Sequence, residues 1–235
     1  MKSDFKTYQF ILTLSVVCAF LLSLSNSILK EKQELNIEVD RQKNVLKCAG
    51  LDISSLSNDE VIKSYMISIN EKVITVDGLE TDINVSDLIV IENKSTGQLN
   101  YFYNNSEYLP LYEYTENGNV LNYIIPISGK GLWSTLYGFV SLSNDFIQIR
   151  GITFFKHGET PGLGGEVDNP KFQKQFINKR IFDKQNHLVS VDVVKPGKAK
   201  GDYQVDGLSG ATITSNGLSN FLKNDLMRYI KFFKI

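Results

Sequence analysis

Tyr112-Glu113-Tyr114-Thr115-Glu116-Asn117-Gly118-Asn119-Val120-Leu121-Asn122-Tyr123-Ile124-Ile125-Pro126-Ile127 decides the fold class. Tyr112 to Tyr114 and Val120 to Ile127 read as strands, because β-branched and aromatic side chains suit a pleated surface. Between them Asn117-Gly118 tolerates the positive φ angles of a tight hairpin turn. The same reading extends on either side. Val73 to Val76 is a strand stopped by Asp77-Gly78, and Leu88 to Ile91 is a strand ending before Asn93. Phe146 to Ile149 and Ile152 to Phe155 flank Gly151, which marks a bulge. His187 to Val194 alternates, with Val189, Val191 and Val193 forming a uniformly β-branched face that is expected to be buried.

Helical signals are fewer. Asn169-Pro170 followed by Phe172, Phe176 and Ile177 predicts a short amphipathic helix with proline in its first turn. Leu218, Phe221, Leu222, Leu226, Tyr229, Ile230 and Phe233 recur at three- and four-residue intervals, which predicts a terminal helix with Thr214 or Ser215 as N-cap. The fold class is therefore α+β, largely antiparallel, with a C-terminal helix.

The chain has 235 residues, 42% hydrophobic and 22% charged, enough apolar material for a packed core. Twenty-five basic against 26 acidic residues give a net charge of −1, so there is no basic field to hold nucleic acid. Two cysteines exclude a disulfide scaffold, and two histidines argue against a His-based metal centre.

Residues 7–29 carry no charge. A helix of that length crosses a hydrocarbon layer about 30 Å thick. A cleaved signal peptide is the alternative, but the apolar run exceeds the usual signal core of about 7–15 residues, and no Ala-x-Ala site follows. A retained single-span anchor over residues 1–29 is expected. Cys18 falls inside the span and Cys48 beyond it, both structural or incidental. Lysines flank both ends, and by charge alone the later part of the chain belongs in the cytoplasm, although the rule weakens before long soluble segments. Residues 30–100 carry no motif and read as stalk and scaffold. Within them Lys30 to Lys47 continues the membrane helix, with apolar residues too irregularly spaced to define a buried stripe.

Three segments of residues 101–235 carry chemistry. Ser128-Gly129-Lys130-Gly131-Leu132-Trp133-Ser134 sets the only tryptophan beside a flexible glycine pair. His157-Gly158-Glu159-Thr160-Pro161-Gly162-Leu163-Gly164-Gly165-Glu166 is a loop whose exposed amides and missing side chains let a flat ring lie against it. Asp206-Gly207-Leu208-Ser209-Gly210-Ala211-Thr212-Ile213-Thr214-Ser215 sets hydroxyls before the terminal helix, whose unpaired N–H groups favour a phosphate. Taken singly, each is also compatible with an ordinary turn, a glycine-rich connection or a core aromatic. None is a dinucleotide or nucleoside-triphosphate fingerprint.

Together these residues resemble the FMN-binding domain family. Asp206-x-x-Ser209-Gly210-Ala211-Thr212 is similar to its flavinylation motif, whose final threonine carries FMN through a phosphoester. His157-x-Glu159-Thr160-Pro161-Gly162-Leu163-Gly164 is similar to its flavin-lining loop. With the anchor and Gly131-Leu132-Trp133, the whole chain resembles the C-subunit family of Na+-translocating NADH:quinone oxidoreductases. The resemblance implies a covalent FMN on Thr212, with Asp206, Ser209, Gly210 and Ala211 shaping the turn. Glu159, Thr160, Pro161, Gly162, Leu163, Gly164, Leu132 and Trp133 would line the flavin, and Lys195 would neutralise its phosphate or the reduced ring.

It further implies one-electron relay from an iron–sulfur centre to a second FMN in the B subunit, within a membrane assembly of six subunits. Attachment would be made by a separate Mg2+-dependent flavin transferase using FAD, and the flavin domain would lie on the periplasmic side of a bacterial inner membrane. Such a protein serves a Na+-translocating NADH:ubiquinone reductase without oxidising NADH or reducing quinone alone.

Three rival readings remain open on these residues. The G subunit of Rnf electron-transport complexes shares the anchor, loop and threonine motif. A cofactor-free anion-binding module would use the glycine loops. A hydrolase would use Ser209 or Thr212 with His157 or His187 as base, but no Gly-x-Ser-x-Gly elbow is present.

Overall fold

The computed structural model describes residues 2–233, leaving aside the side chains of residues 2–4 and 31.

Helix α1 runs Lys2–Ala49 without interruption, and its segment Phe5–Lys30 is long and apolar enough to cross a membrane. Phe10, Leu14, Phe20 and Leu22 are all exposed. A helix that is apolar all round and unpacked suits lipid. By contact the chain divides into a unit up to Asp40 and a unit from Arg41 onward.

In the second unit, the end of α1 is no free stalk. Val45, Leu46, Cys48 and Ala49 are buried. The Asn122 amide donates to the Ala49 carbonyl at 2.9 Å and the Thr153 hydroxyl to Asn44 O at 3.2 Å. Gly151 is needed here, since a Cβ would collide with the Cys48 carbonyl. The Cys48 thiol, raised by burial against hydrogen bonds from Thr153 and Ser141 that lower it, stays protonated.

A short helix α2 (Asn58–Ser68) follows, closed by a capping box in which the Ser57 hydroxyl accepts from Glu60 N and the Glu60 carboxylate accepts from Ser57 N. Then come β1 (Ile69–Thr75), β2 (Glu80–Thr81), β3 (Ile89–Glu92), β4 (Leu99–Tyr103), β5 (Ser106–Glu116), β6 (Asn119–Lys130), β7 (Thr135–Ser143) and β8 (Ile149–Lys156). They form one antiparallel sheet in the order β2-β1-β5-β6-β7-β8, with β3 and β4 joined to the other end of β5. Asn117 and Gly118 turn the β5–β6 hairpin with φ of +51° and +78°, as expected. The bulge is present as well, as a register shift opposite Gly151.

After β8 come α3 (Pro170–Gln173), β9 (Asp192–Val194), β10 (Gln204–Asp206), α4 (Thr212–Arg228) and α5 (Ile230–Phe233). Strands β9 and β10 pair in parallel. Helix α4 packs on β6 and β9, burying Leu218, Leu222 and Leu226 in the main core.

Three further sequence expectations change. The strand over Phe146 to Ile149 is mostly a turn, with Phe146 at φ +59°, and only Ile149 of it belongs to β8. The strand over His187 to Val194 shortens to β9, because Ser190, inside it, takes φ of +64°, which breaks a continuous pleat. Only Val191 and Val193 of the β-branched face are fully buried. The terminal helix starts earlier than Thr214 or Ser215. Ala211 is its N-cap, so both hydroxyls lie inside the first turns.

Candidate functional site

The three glycine-bearing segments meet at one end of the sheet. Residues 131–134 connect β6 to β7, closed by the Gly131 N–H on Ser134 O at 2.8 Å. Residues 157–163 leave the adjacent end of β8. Helix α4 comes to the same end because Gly217 lies directly on the Lys130 carbonyl.

Glu159 ties them together. Its carboxylate, 6% exposed, accepts from the backbone N–H of Leu132 (3.3 Å), Trp133 (2.9 Å) and Ser134 (3.0 Å) and from the Thr214 hydroxyl (2.7 Å). Burial works to raise its pKa, but the donors from Thr214, Trp133, Ser134 and Leu132 outweigh it and hold the carboxyl below its ordinary value. Space is cleared for it: a Cβ on Gly131 or on Gly164 would come within 2.6 Å of a Glu159 oxygen. The loop is braced further by Gly158 N–H to the Ser134 hydroxyl (2.6 Å), Glu159 N–H to His157 Nδ1 (3.2 Å) and His157 Nε2 to Asp168 (2.8 Å).

Thr160 to Leu163 is a turn closed by the Leu163 N–H on Thr160 O at 3.1 Å. Pro161 takes its second position and Gly162, at φ +77°, its third, the pairing a type II turn prefers. Thr160, Pro161, Gly162 and Leu163 are exposed, whereas Gly164 is buried. Gly210, at φ +72°, lies under Leu163, whose side chain would be 2.9 Å from an added Cβ. Around the joined loops Leu132, Leu163, Ile213 and Trp133 are exposed, Trp133 by 73%. Four bare apolar groups in so small a region mark a binding surface.

On the third segment the hydroxyls divide sharply. Thr214 and Ser215 are buried and engaged, the latter accepting from the Leu208 N–H at 3.2 Å. Ser209 and Thr212 are exposed, and Thr212 is the first residue of α4. Ala211 is buried, a poor N-cap that leaves the helix without a side-chain cap. The first-turn amides are thus left for another acceptor, and an anion is the natural one.

Thr212 opens on a cleft of about 590 Å³ between α4 and β9, walled by Val193, Val194 and Leu208 and edged by Lys195, Asn216 and Asn220. That volume is ordinary for a cofactor-sized ligand. Lys195 is exposed and stands on this rim. Asp206 does not enter it. Its carboxylate accepts from the N–H groups of Lys198 and Ala199, both at 2.9 Å, and so shapes the loop that carries Lys195. Asn216, Asn220 and Ser219 join the cleft without a sequence motif to announce them, although their spacing along one helix face after Thr212 is a usable signal.

An uncapped helix start, a lysine, an exposed threonine and a nearby apolar shelf fit a phosphate-bearing planar cofactor such as FMN. Among the described residues no cluster of His, Cys, Asp or Glu suits a metal ion.

Comparison with known proteins agrees. Residues 131–226 match the FMN-binding domain family. The chain is 32% identical over 237 aligned positions to the C subunit of the Na(+)-translocating NADH-quinone reductase of Vibrio vulnificus, covering 92% of this chain and 88% of that protein. It is 33% identical to the protein of the same name from Pseudomonas aeruginosa, covering 94% and 90%. The crystal structure of the C subunit from Parabacteroides distasonis superposes with a TM-score of 0.74 at 31% identity, over 88% of this chain and 98% of that one.

Proposed function

This chain belongs to the C-subunit family of Na(+)-translocating NADH-quinone reductases, a flavoprotein component of an oxidoreductase complex, and on that premise we propose that Thr212 carries FMN through a phosphoester. The observation that carries the proposal is the position of Thr212, exposed at the uncapped start of α4 on the same cleft as Lys195.

The Thr212 oxygen replaces one phosphate oxygen, leaving a monoanion that the first-turn amides and the Lys195 ammonium offset. A separate flavin transferase makes this bond from FAD: the Thr212 hydroxyl gives up its proton as its oxygen bonds the phosphorus nearer the flavin, the P–O–P bond breaks and AMP leaves, so Thr212 is the residue modified and not a catalyst. Leu132, Trp133, Leu163 and Ile213 form the apolar shelf for the ring, with the amides of the Thr160–Gly164 loop at its edge. When bound, the FMN supplies one-electron redox chemistry, relaying electrons between an iron–sulfur centre and the FMN-bearing B subunit.

Helix α1 anchors the protein in a bacterial inner membrane, with the flavin domain on the periplasmic face. It contains no acidic residue between Lys6 and Lys30, so the sodium path runs through other chains.

The test is co-expression with the transferase. The wild-type chain is expected to stay yellow and fluorescent after denaturation, with the adduct on the peptide containing Thr212, while Thr212→Val is colourless. Complete release of flavin from the denatured wild-type chain would overturn the assignment.

A further inference from the structure

We infer that Glu159 is a positioning residue for the flavin and touches neither ring nor phosphate: its carboxylate locks the Leu132–Ser134 turn to the first turn of α4. The geometry leaves this group little other use. Three backbone N–H groups of one turn and the Thr214 hydroxyl converge on its two oxygens at 2.7–3.3 Å. Gly131 and Gly164 leave no side chain where those oxygens sit. The carboxylate is buried, while the groups on either side of it, Leu132, Trp133 and Ile213, face outward. A buried anion saturated by four donors does not reach for a cofactor; it fixes what surrounds it.

The consequence concerns Thr214, which lies two residues after Thr212 on the same helix turn. Through it, Glu159 sets the distance between the point of attachment and the Leu132–Trp133 shelf. A flavin tethered at Thr212 has a flexible ribityl chain, so attachment alone does not orient the ring. The Glu159–Thr214 contact does, by holding the shelf beside the tether before any cofactor arrives. Thr214 is then a structural hydroxyl, already donating to Glu159, and is expected not to compete with Thr212 for modification.

The inference rests on the Thr212 assignment only for where the ring is tethered, and its test separates the two. The full chain is matured with the transferase as wild type, Glu159→Gln, Thr214→Val and Thr214→Ser. Flavin retained after denaturation reports attachment, the visible circular dichroism of the folded flavoprotein reports ring orientation, and thermal melting reports folding. Glu159→Gln and Thr214→Val are expected to keep covalent flavin at wild-type stoichiometry yet lose the flavin dichroic bands, with emission rising toward that of the denatured chain. Thr214→Ser, which keeps the hydroxyl, is expected to retain both signals.

Wild-type dichroism in folded Glu159→Gln or Thr214→Val would overturn the inference. So would loss of the bands in Thr214→Ser. Should Glu159→Gln fail to show a melting transition, Thr214→Val, which keeps the carboxylate, decides. If wild-type flavin proves non-covalent, the Thr212 assignment fails, and the dichroism of the loaded complexes still judges Glu159.

Discussion

Two buried carboxylates show how the same group is driven in opposite directions by its surroundings. Glu159 has enough donors to outweigh burial and is held as an anion. Asp225, 1% exposed on α4, accepts from the Gln98 amide and the Ser128 N–H, both at 2.8 Å, with the Arg228 guanidinium at 3.6 Å. Burial still wins there and pushes its carboxyl up to about 6. A folded-state pKa above the unfolded one means that the native chain binds the extra proton. The resulting stability is fully present below about pH 4 and is lost as pH rises through about 6. At about 1.4 kcal/mol per unit, the advantage of wild type over Asp225→Asn is expected to shrink by about 2 kcal/mol between pH 4 and pH 7, as measured by urea unfolding at each pH. Glu159 acts with the opposite sign: its contribution is present above its unfolded pKa and lost on acidification.

Among the elements, α4 matters most because it begins at Thr212, the residue proposed to carry FMN, and must approach β6 closely. Gly217 makes that approach, with no room for a Cβ against the Lys130 carbonyl. Alanine there gains about 1 kcal/mol of helix propensity but must push the helix off the sheet, and overpacking costs about 1–3 kcal/mol. The collision is with rigid backbone, so the cost prevails. Gly217→Ala is expected to lower Tm by a few degrees in thermal denaturation. The same helix shows where a linear reading falls short. Ser/Thr preference points to Thr214 or Ser215 as the cap, yet tertiary partners Glu159 and Leu208 claim both hydroxyls and Ala211 caps instead. Helix α2 has a legible start, since Ser57-x-x-Glu60 is a capping-box signature hidden in a stretch that otherwise reads as stalk. The β9 region misleads because alternation says nothing of the left-handed Ser190 that interrupts it.

For the whole molecule, the decisive division is between an apolar helix with exposed side chains and a unit with its own core from Arg41 onward. A chain starting at residue 31 is therefore expected to appear in the soluble fraction with a cooperative melting transition, while the full chain sediments with membranes. Failure of the shortened chain to melt cooperatively would mean that the segment before Arg41 is needed for folding.

By itself, the sequence determined the long apolar N-terminal helix, the antiparallel hairpins, the three glycine segments and the family to which they belong. Those are local facts: uninterrupted hydropathy, side-chain alternation, the φ freedom of Asn-Gly, and a motif whose residues are neighbours in the chain. Only the tertiary structure decided that Glu159 is spent on joining the segments, that Asp206 shapes the Lys195 loop, and that Thr212 alone of the helix-start hydroxyls is exposed. Those outcomes depend on which donors reach a given oxygen and which side chains are covered, and folding sets both by bringing residues 132, 159 and 214 together across the end of one sheet.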